Sequence, residues 1–177
     1  DERKGKGWVS TMPETQKRVY TGRGITRKLK AYIPETDNMM ILCETSVCEP
    51  VINRICHQFP QAVVYMAVTS QHMNTFDAME AIVHFLYHKG FRKHSSMLIV
   101  GGQQLKALGG FTASSYYCGI DYMYIPVSEQ LTQHDRADIC GIDLLGITDV
   151  LQAAYAPCAV FQDEEIFELM NAESYNF

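Results

Sequence analysis

Apolar runs alternate with helically spaced apolar positions along most of the chain. "KRVYTG" (17–22) predicts a strand, and "ITRKLKAYI" (25–33) a short helix after it. "NMMILCE" (38–44) predicts a buried strand. In "EPVINRICHQF" (49–59), Val51, Ile52, Ile55 and Phe59 recur at helical spacing, and Pro60 should stop the helix they define. "QAVVYMAV" (61–68) reads as the next buried strand. The clearest helix is "NTFDAMEAIVHFLYHKG" (74–90). Asn74 or Thr75 would cap it, and Asp77 and Glu80 stand near its positive end. Phe76, Met79, Ile82, Val83 and Leu86 form its apolar face, and Lys89-Gly90 closes it. "SMLIV" (96–100) is continuously apolar, as in a strand covered on both faces. "QLKALGGFTASSYY" (104–117) predicts a helix that tolerates a Gly-Gly pair, and "DYMYIPV" (121–127) a strand. The pattern then weakens, until "CAVFQD" (158–163) predicts a strand and "EEIFELMNA" (164–172) a helix.

This alternation predicts an α/β fold, a Rossmann-like, mainly parallel sheet with helices on both faces. Such sheets bind ligands at the carboxyl ends of their strands. With no repeat, low-complexity run or linker, residues 17–177 are expected to form one domain. The charged, Gly-rich residues 1–16 are expected to be a flexible tail.

The 177 residues are 47% hydrophobic and 20% charged, with a formal charge of −5. That composition suits a folded domain and lacks the clustered basic face of a nucleic-acid binder. No apolar run approaches the roughly 20 residues of a membrane span, and the amino terminus has no apolar signal core. The six cysteines form no CxxC pair, so they are expected to be reduced, mostly buried thiols of a cytoplasmic protein rather than zinc ligands.

Several stretches could carry chemistry. Gly101-Gly102 ends the most apolar strand, and could allow close approach to a pyrophosphate or simply turn the chain. Gln103 and Gln104 would crowd that turn. Lys106 would meet a phosphate or stand as a solvated helix lysine. Gly109-Gly110 is expected to let its helix pack closely on a neighbour. Gly22-Arg23-Gly24 could hold an anion at a helix start, or form a plain turn. His84 and His88 have metal-ligand spacing but no HExxH, and read as exposed. His134-Asp135 with Asp138 could do acid–base work or be solvated loop. No GxSxG is present.

Taken together, "IVGGQQLKALGGFTASSYYCGIDYMYIPVSEQL" resembles the central stretch of 3-dehydroquinate synthases. The matching framework is Gly101, Gly102, Leu108, Gly110, Phe111, Ala113, Ser114, Gly119, Ile120, Asp121 and Pro126. "AAYAPCAVFQD" extends it through Ala153, Pro157, Ala159, Val160 and Asp163. "SQHMNTFDAMEAI" lies where the family has Gly-Glu-x-x-Lys-Thr-Leu-Glu. The resemblance covers about residues 17–172 and corresponds to the family's amino-terminal, NAD-binding domain.

The functional positions that the resemblance implies are degenerate here. The third glycine of the cofactor turn is Gln103, and the aspartate after it is Ala107. The family's Glu and Lys are Gln71 and Asn74, its Arg before Gly-Ile-Asp is Cys118, and its two threonines are Val127 and Ser128. Its next aspartate would fall at His134 or Asp135. A neutral side chain cannot supply the charge-assisted hydrogen bonds that hold a phosphate. The resemblance also implies a second, helical domain with the zinc ligands, expected to be absent because the chain stops near where it would begin.

The expectation is therefore a non-catalytic synthase-like domain (a pseudoenzyme) with no catalytic residues and no metal. It would act through a protein partner, a homodimer or a remodelled ligand site, away from nucleic acid and membrane. No cofactor is expected to remain. NAD is the one that the degenerate turn would still hold, through Gly101, Gly102, Gln103 and Ser128. Two alternatives stand beside it. One is the amino-terminal half of a 3-dehydroquinate synthase, a carbon–oxygen lyase of the shikimate pathway, needing a separate carboxyl-terminal half. The other is a nucleotide-binding module.

Overall fold

The computed structural model describes residues 17–129 and 138–174. The elements run β1 (Arg18–Thr21), a 3₁₀ helix (Ile25–Ala31), β2 (Met39–Glu44), α1 (Glu49–Cys56), β3 (Val63–Ala67), α2 (Phe76–His88), β4 (Ser96–Gly101), α3 (Gln103–Ser115) and β5 (Asp121–Pro126). They continue with β6 (Ile139–Leu144), β7 (Ile147–Ala154), β8 (Ala159–Gln162) and α4 (Glu164–Ser174). Residues 1–16, His134 and Asp135 lie outside the described residues.

Six strands form one parallel sheet in the order β1-β8-β5-β4-β2-β3. Alternate residues of each strand point to opposite faces, so the sheet has two cores. Met40, Leu42, Met97, Ile99, Tyr122 and Tyr124 face α2 and α3. Ile41, Cys43, Leu98, Val100, Met123 and Phe161 face α1, α4 and the 3₁₀ helix. Strand β4 sits mid-sheet and is buried at every position. This is the Rossmann-like α/β architecture that the alternation implies. Thr75 caps α2 by accepting a hydrogen bond from Ala78 N, and Gly90 follows that helix with φ of 80°. Among the described residues no helix is long and apolar enough to cross a membrane.

The structure departs from the pattern in several places. Strand β3 is not buried on both faces. It is the sheet's edge, and Val64 and Met66 are each 40% exposed. Phe76, assigned to the apolar face of α2, is 48% exposed because it opens the helix, ahead of the turns that meet the sheet. Residues 25–31 form a 3₁₀ turn broken by non-helical backbone at Lys28, and α1 ends three residues before Phe59.

The largest departure is an unforeseen antiparallel hairpin, β6–β7. Leu145 and Gly146, both with positive φ, make its two-residue turn. Strand β7 is almost wholly exposed, so it has no apolar alternation to read. What holds the hairpin is contact with other elements. Asp143 N donates to Asn74 O at 2.8 Å, and Tyr122 Oη to Tyr155 O at 2.6 Å. Cys140 packs on α3 at Gly110, where a Cβ would stand 2.2 Å from the sulfur. The Gly-Gly pair thus packs as expected, with Gly109 against Ile99 and Leu42 of the sheet.

Candidate functional site

A cleft of about 410 Å³ opens beyond the carboxyl end of β4. The loop before α2, the first turns of α3 and the hairpin form its walls. It gathers Gln71, Asn74, Gln103 and Ala107, four positions scattered over 37 residues of sequence, and adds Asp143 and Asp149 from the hairpin. A second cleft, about 360 Å³, lies at the amino end of the sheet between residues 33–39 and 58–62, away from all these positions.

Asn74 is buried, and its Nδ2 donates to Asp143 Oδ1 at 3.3 Å. The same oxygen accepts from Asp149 N at 2.8 Å. Gln104 Nε2 donates to Gln71 O at 2.7 Å, tying the loop to α3. Gln103 and Ala107 are half-buried on the cleft side of α3. The described lining carries two carboxylates and the His72 imidazole nearby, and no lysine or arginine.

Other predicted residues lie elsewhere. Ser128 is half-buried after β5 and does not line the cleft. Cys118, exposed with φ of 62°, follows the far end of α3. The 13 residues of that helix separate it from the Gly101-Gly102 turn by about 20 Å. His84 and His88 are exposed, their rings 4.1 Å apart.

Lys106 is neither solvated nor directed at the cleft. It is 3% exposed, with its ammonium 3.5 Å from Asp138 and 5.6 Å from the Tyr124 ring centre. Burial pulls its pKa below the usual lysine value, and the Asp138 charge acts against that shift. Asp138 also pairs with Lys17 at 2.7 Å.

The turn between β1 and the 3₁₀ helix holds an anion from within the chain. Asp163 Oδ1 accepts from Gly24 N (2.8 Å) and Glu165 N (2.9 Å), and Oδ2 from Thr26 N (2.9 Å) and the Thr26 hydroxyl. Burial pushes the Asp163 carboxyl up, but these hydrogen bonds together outweigh it and leave its pKa below the ordinary aspartate value.

The sequence reading missed Glu44. It ends β2, next to β4 in the sheet, where the pairing of Cys43 with Val100 sets it beside Gly101. Its side chain is 6% exposed, and Oε1 accepts from Gly102 N at 2.7 Å. Oε2 accepts from the Ser46 hydroxyl at 3.1 Å and stands 3.5 Å from that of Thr69. A Cβ on Gly101 would sit 2.6 Å from Oε1. The available signal was a carboxylate directly after the apolar run "MMILC" (39–43), at the ligand-binding end of the sheet.

Comparison with known proteins bears on this geometry. A family model described as 3-dehydroquinate synthase N-terminal matches residues 64–176. The 3-dehydroquinate synthase of Alkaliphilus oremlandii is 26% identical over 167 residues, covering 89% of this chain and 45% of that protein. That of Streptococcus pyogenes serotype M6 is 30% identical over 101 residues, covering 56% of this chain and 28% of its own length. The chain thus spans less than half the length of these relatives. Among solved structures, 2-deoxy-scyllo-inosose synthase superposes with a TM-score of 0.75 at 18% identity, covering 84% of this chain and 44% of that one. It has also been solved with carbaglucose-6-phosphate, NAD⁺ and Co²⁺. The 2-epi-5-epi-valiolone synthase of Streptomyces hygroscopicus, with NAD⁺ and Zn²⁺ bound, gives 0.71 at 16% identity, covering 89% of this chain and 46% of that one. At these identities the structural likeness is one of fold.

Proposed function

Because the chain belongs to the 3-dehydroquinate synthase family, as an N-terminal domain of it, we propose that it is a non-catalytic member that keeps the domain's cleft but does not run the synthase reaction. The cleft itself carries the proposal. Four positions that the family resemblance assigns to charged or glycine residues meet there, and here they are Gln71, Asn74, Gln103 and Ala107. Asp143 and Asp149 make the lining net negative. A phosphorylated substrate or a dinucleotide needs cations, free backbone N–H groups or a helix end for its phosphates. The described lining supplies no cation, and Glu44 already takes the Gly102 N–H. NAD, which two of the structural neighbours bind, would find no lysine or arginine in this described lining, and no step is assigned to it.

What remains is a hydrogen-bonding cleft of about 410 Å³ on a rigid parallel sheet, suited to a remodelled ligand or to contact with a protein partner or second copy. The test is turnover. The full chain with NAD, a divalent metal and the family's heptulosonate phosphate substrate is expected to give no dehydroquinate and no phosphate release. Release of both would refute the proposal.

One observation favours a second reading, the amino-terminal half of a split synthase. The sheet is intact, and the chain matches 45% of a full-length relative. Under that reading, mixing the chain with a helical carboxyl-terminal half would produce turnover. The proposal expects none, because Asn74 and Ala107 lie in this half.

A further inference from the structure

We infer that β3 is a dimerisation edge, to which a second copy of this chain adds its own β3, antiparallel, across a twofold axis at Tyr65. The surface is not the cleft, and the inference goes beyond the non-catalytic reading without resting on it. Among the described residues β3 ends the sheet, with β2 on one side and no strand on the other. Backbone groups of successive strand residues point to alternate sides. Thr45 N donates to Ala67 O, so Ala67, Tyr65 and Val63 turn theirs toward β2. Those of Val64 and Met66 point outward, and no described strand meets them.

The same two residues carry side chains that the core leaves out. Val63, Tyr65 and Ala67 pack on the α2 side of the sheet. On the other side the core reaches Ile41 and Cys43 of β2 and stops there. Val64 and Met66 are therefore 40% exposed each, and Val68 just beyond them is 75% exposed.

Charge and topology select a second copy as the occupant. Free edges template pairing with any strand, and proteins guard them with charge, proline or brevity. Strand β1, the opposite edge, is guarded: it has four residues, Arg18 is exposed on it, and Arg23 lies just beyond. Strand β3 is not, since from Ile55 to Phe76 the chain has no Asp, Glu, Lys or Arg. A twofold axis sets each group near its own copy, which a charged edge resists and an uncharged one accepts. Pairing β3 with β1 of another copy would propagate without closing, whereas β3 on β3 closes and leaves only the guarded edges outside.

With the axis at Tyr65 the five residues of the two strands overlap fully. Val64 then stands opposite Met66 of the partner subunit, and each such pair exchanges both its N–H···O bonds. Four apolar side chains share the uncovered face. This contact is smaller than the roughly 800 Å² per partner of a standard stable interface, so the dimer is weak and dissociates in the micromolar range.

Sedimentation velocity of the full chain across the micromolar range tests this, with ¹⁵N–¹H spectra at both ends of it. Mass should rise from monomer toward dimer and no further. The Val64 and Met66 amides should shift and gain exchange protection at high concentration. Met66→Pro removes an outward N–H that β2 does not use, so the ladder within the chain stays intact. Met66→Lys puts a charge on the exposed face. Each should weaken association about tenfold or more, with circular dichroism checking the fold. Met66→Lys carries the test if Met66→Pro does not fold. A wild type that stays monomeric throughout would overturn the inference. So would a dimer that the folded variants leave unchanged, or assembly that grows past the dimer. Turnover tests the non-catalytic reading separately.

Discussion

Replacing Asp163 with asparagine should be among the most damaging single-atom changes in this domain. The carboxylate is fully buried and accepts four hydrogen bonds from two segments, 24–26 and 165, with Arg54 Nη1 at 3.7 Å from Oδ2. Asparagine keeps one acceptor oxygen and turns an NH₂ group toward two of the donors. Two hydrogen bonds to a charged group are lost, and the donors left behind are buried. At about 1.5–3 kcal/mol for each such bond, the expected cost is about 3–6 kcal/mol. That is a large part of a typical total of about 5–15 kcal/mol. Urea unfolding monitored by circular dichroism measures it, as a lower midpoint with an unchanged slope.

The pH dependence follows from the sign of the shift. The folded-state pKa of Asp163 is depressed, so its contribution is fully present above the unfolded value and is lost as pH falls through the folded value. The stability gap between wild type and Asp163→Asn should stay constant from about pH 7 to pH 5 and narrow below about pH 4. A gap under about 1 kcal/mol at neutral pH would refute the reasoning, since it would mean that these donors find water instead. So would a gap that persists unchanged into acid.

Four further outcomes are expected. Gly110→Ala should destabilise although alanine is the better helix former, because its Cβ meets the buried Cys140 sulfur at 2.2 Å. Overpacking of about 1–3 kcal/mol should exceed the propensity gain of about 1 kcal/mol, and adding Cys140→Ala should recover most of the loss in a double-mutant cycle of melting temperatures. Gly119→Ala, at φ of +113° with Tyr155 Oη 2.9 Å from the new Cβ, should cost about 1–3 kcal/mol in urea unfolding. Gly22→Ala, with nothing within 4 Å of its Cβ, should stay within about 0.5 kcal/mol in the same assay. Under native conditions a thiol reagent followed by peptide mapping should label exposed Cys118 first. Burial, chiefly, pushes the Cys43 thiol up to about 12, so Cys43 should react only on unfolding.

Strand and helix types in the main sheet were legible from sequence because each has a partner face with its own period. "SMLIV" carries no polar break because β4 is covered on both sides, and the 3–4 spacing of Met79, Ile82, Val83 and Leu86 marks one buried helical stripe. The family framework was legible for a related reason. Gly110 and Gly119 are held by contacts and backbone angles that few other residues satisfy. The β6–β7 hairpin was not legible, because β7 is solvent-exposed along nearly its whole length and its turn uses Leu145-Gly146 rather than Asn-Gly. Lys106 was misread for the opposite reason. A lysine in a helical pattern is usually solvated, and only the approach of Asp138 and Tyr124 makes its burial tolerable.

Sequence alone determined that the chain is an α/β domain with the framework of the synthase family. Tertiary structure decided that Gln71, Asn74, Gln103 and Ala107 share one cleft, that two aspartates of an unforeseen hairpin join them, and that Glu44 lies against the Gly101-Gly102 turn. The reason is one of range. Secondary structure and core faces follow from interactions a few residues apart, which periodicity records. The charge at a site is the sum of groups far apart in sequence, and Glu44 meets Gly102 across 58 positions only because β2 and β4 are neighbours in the sheet.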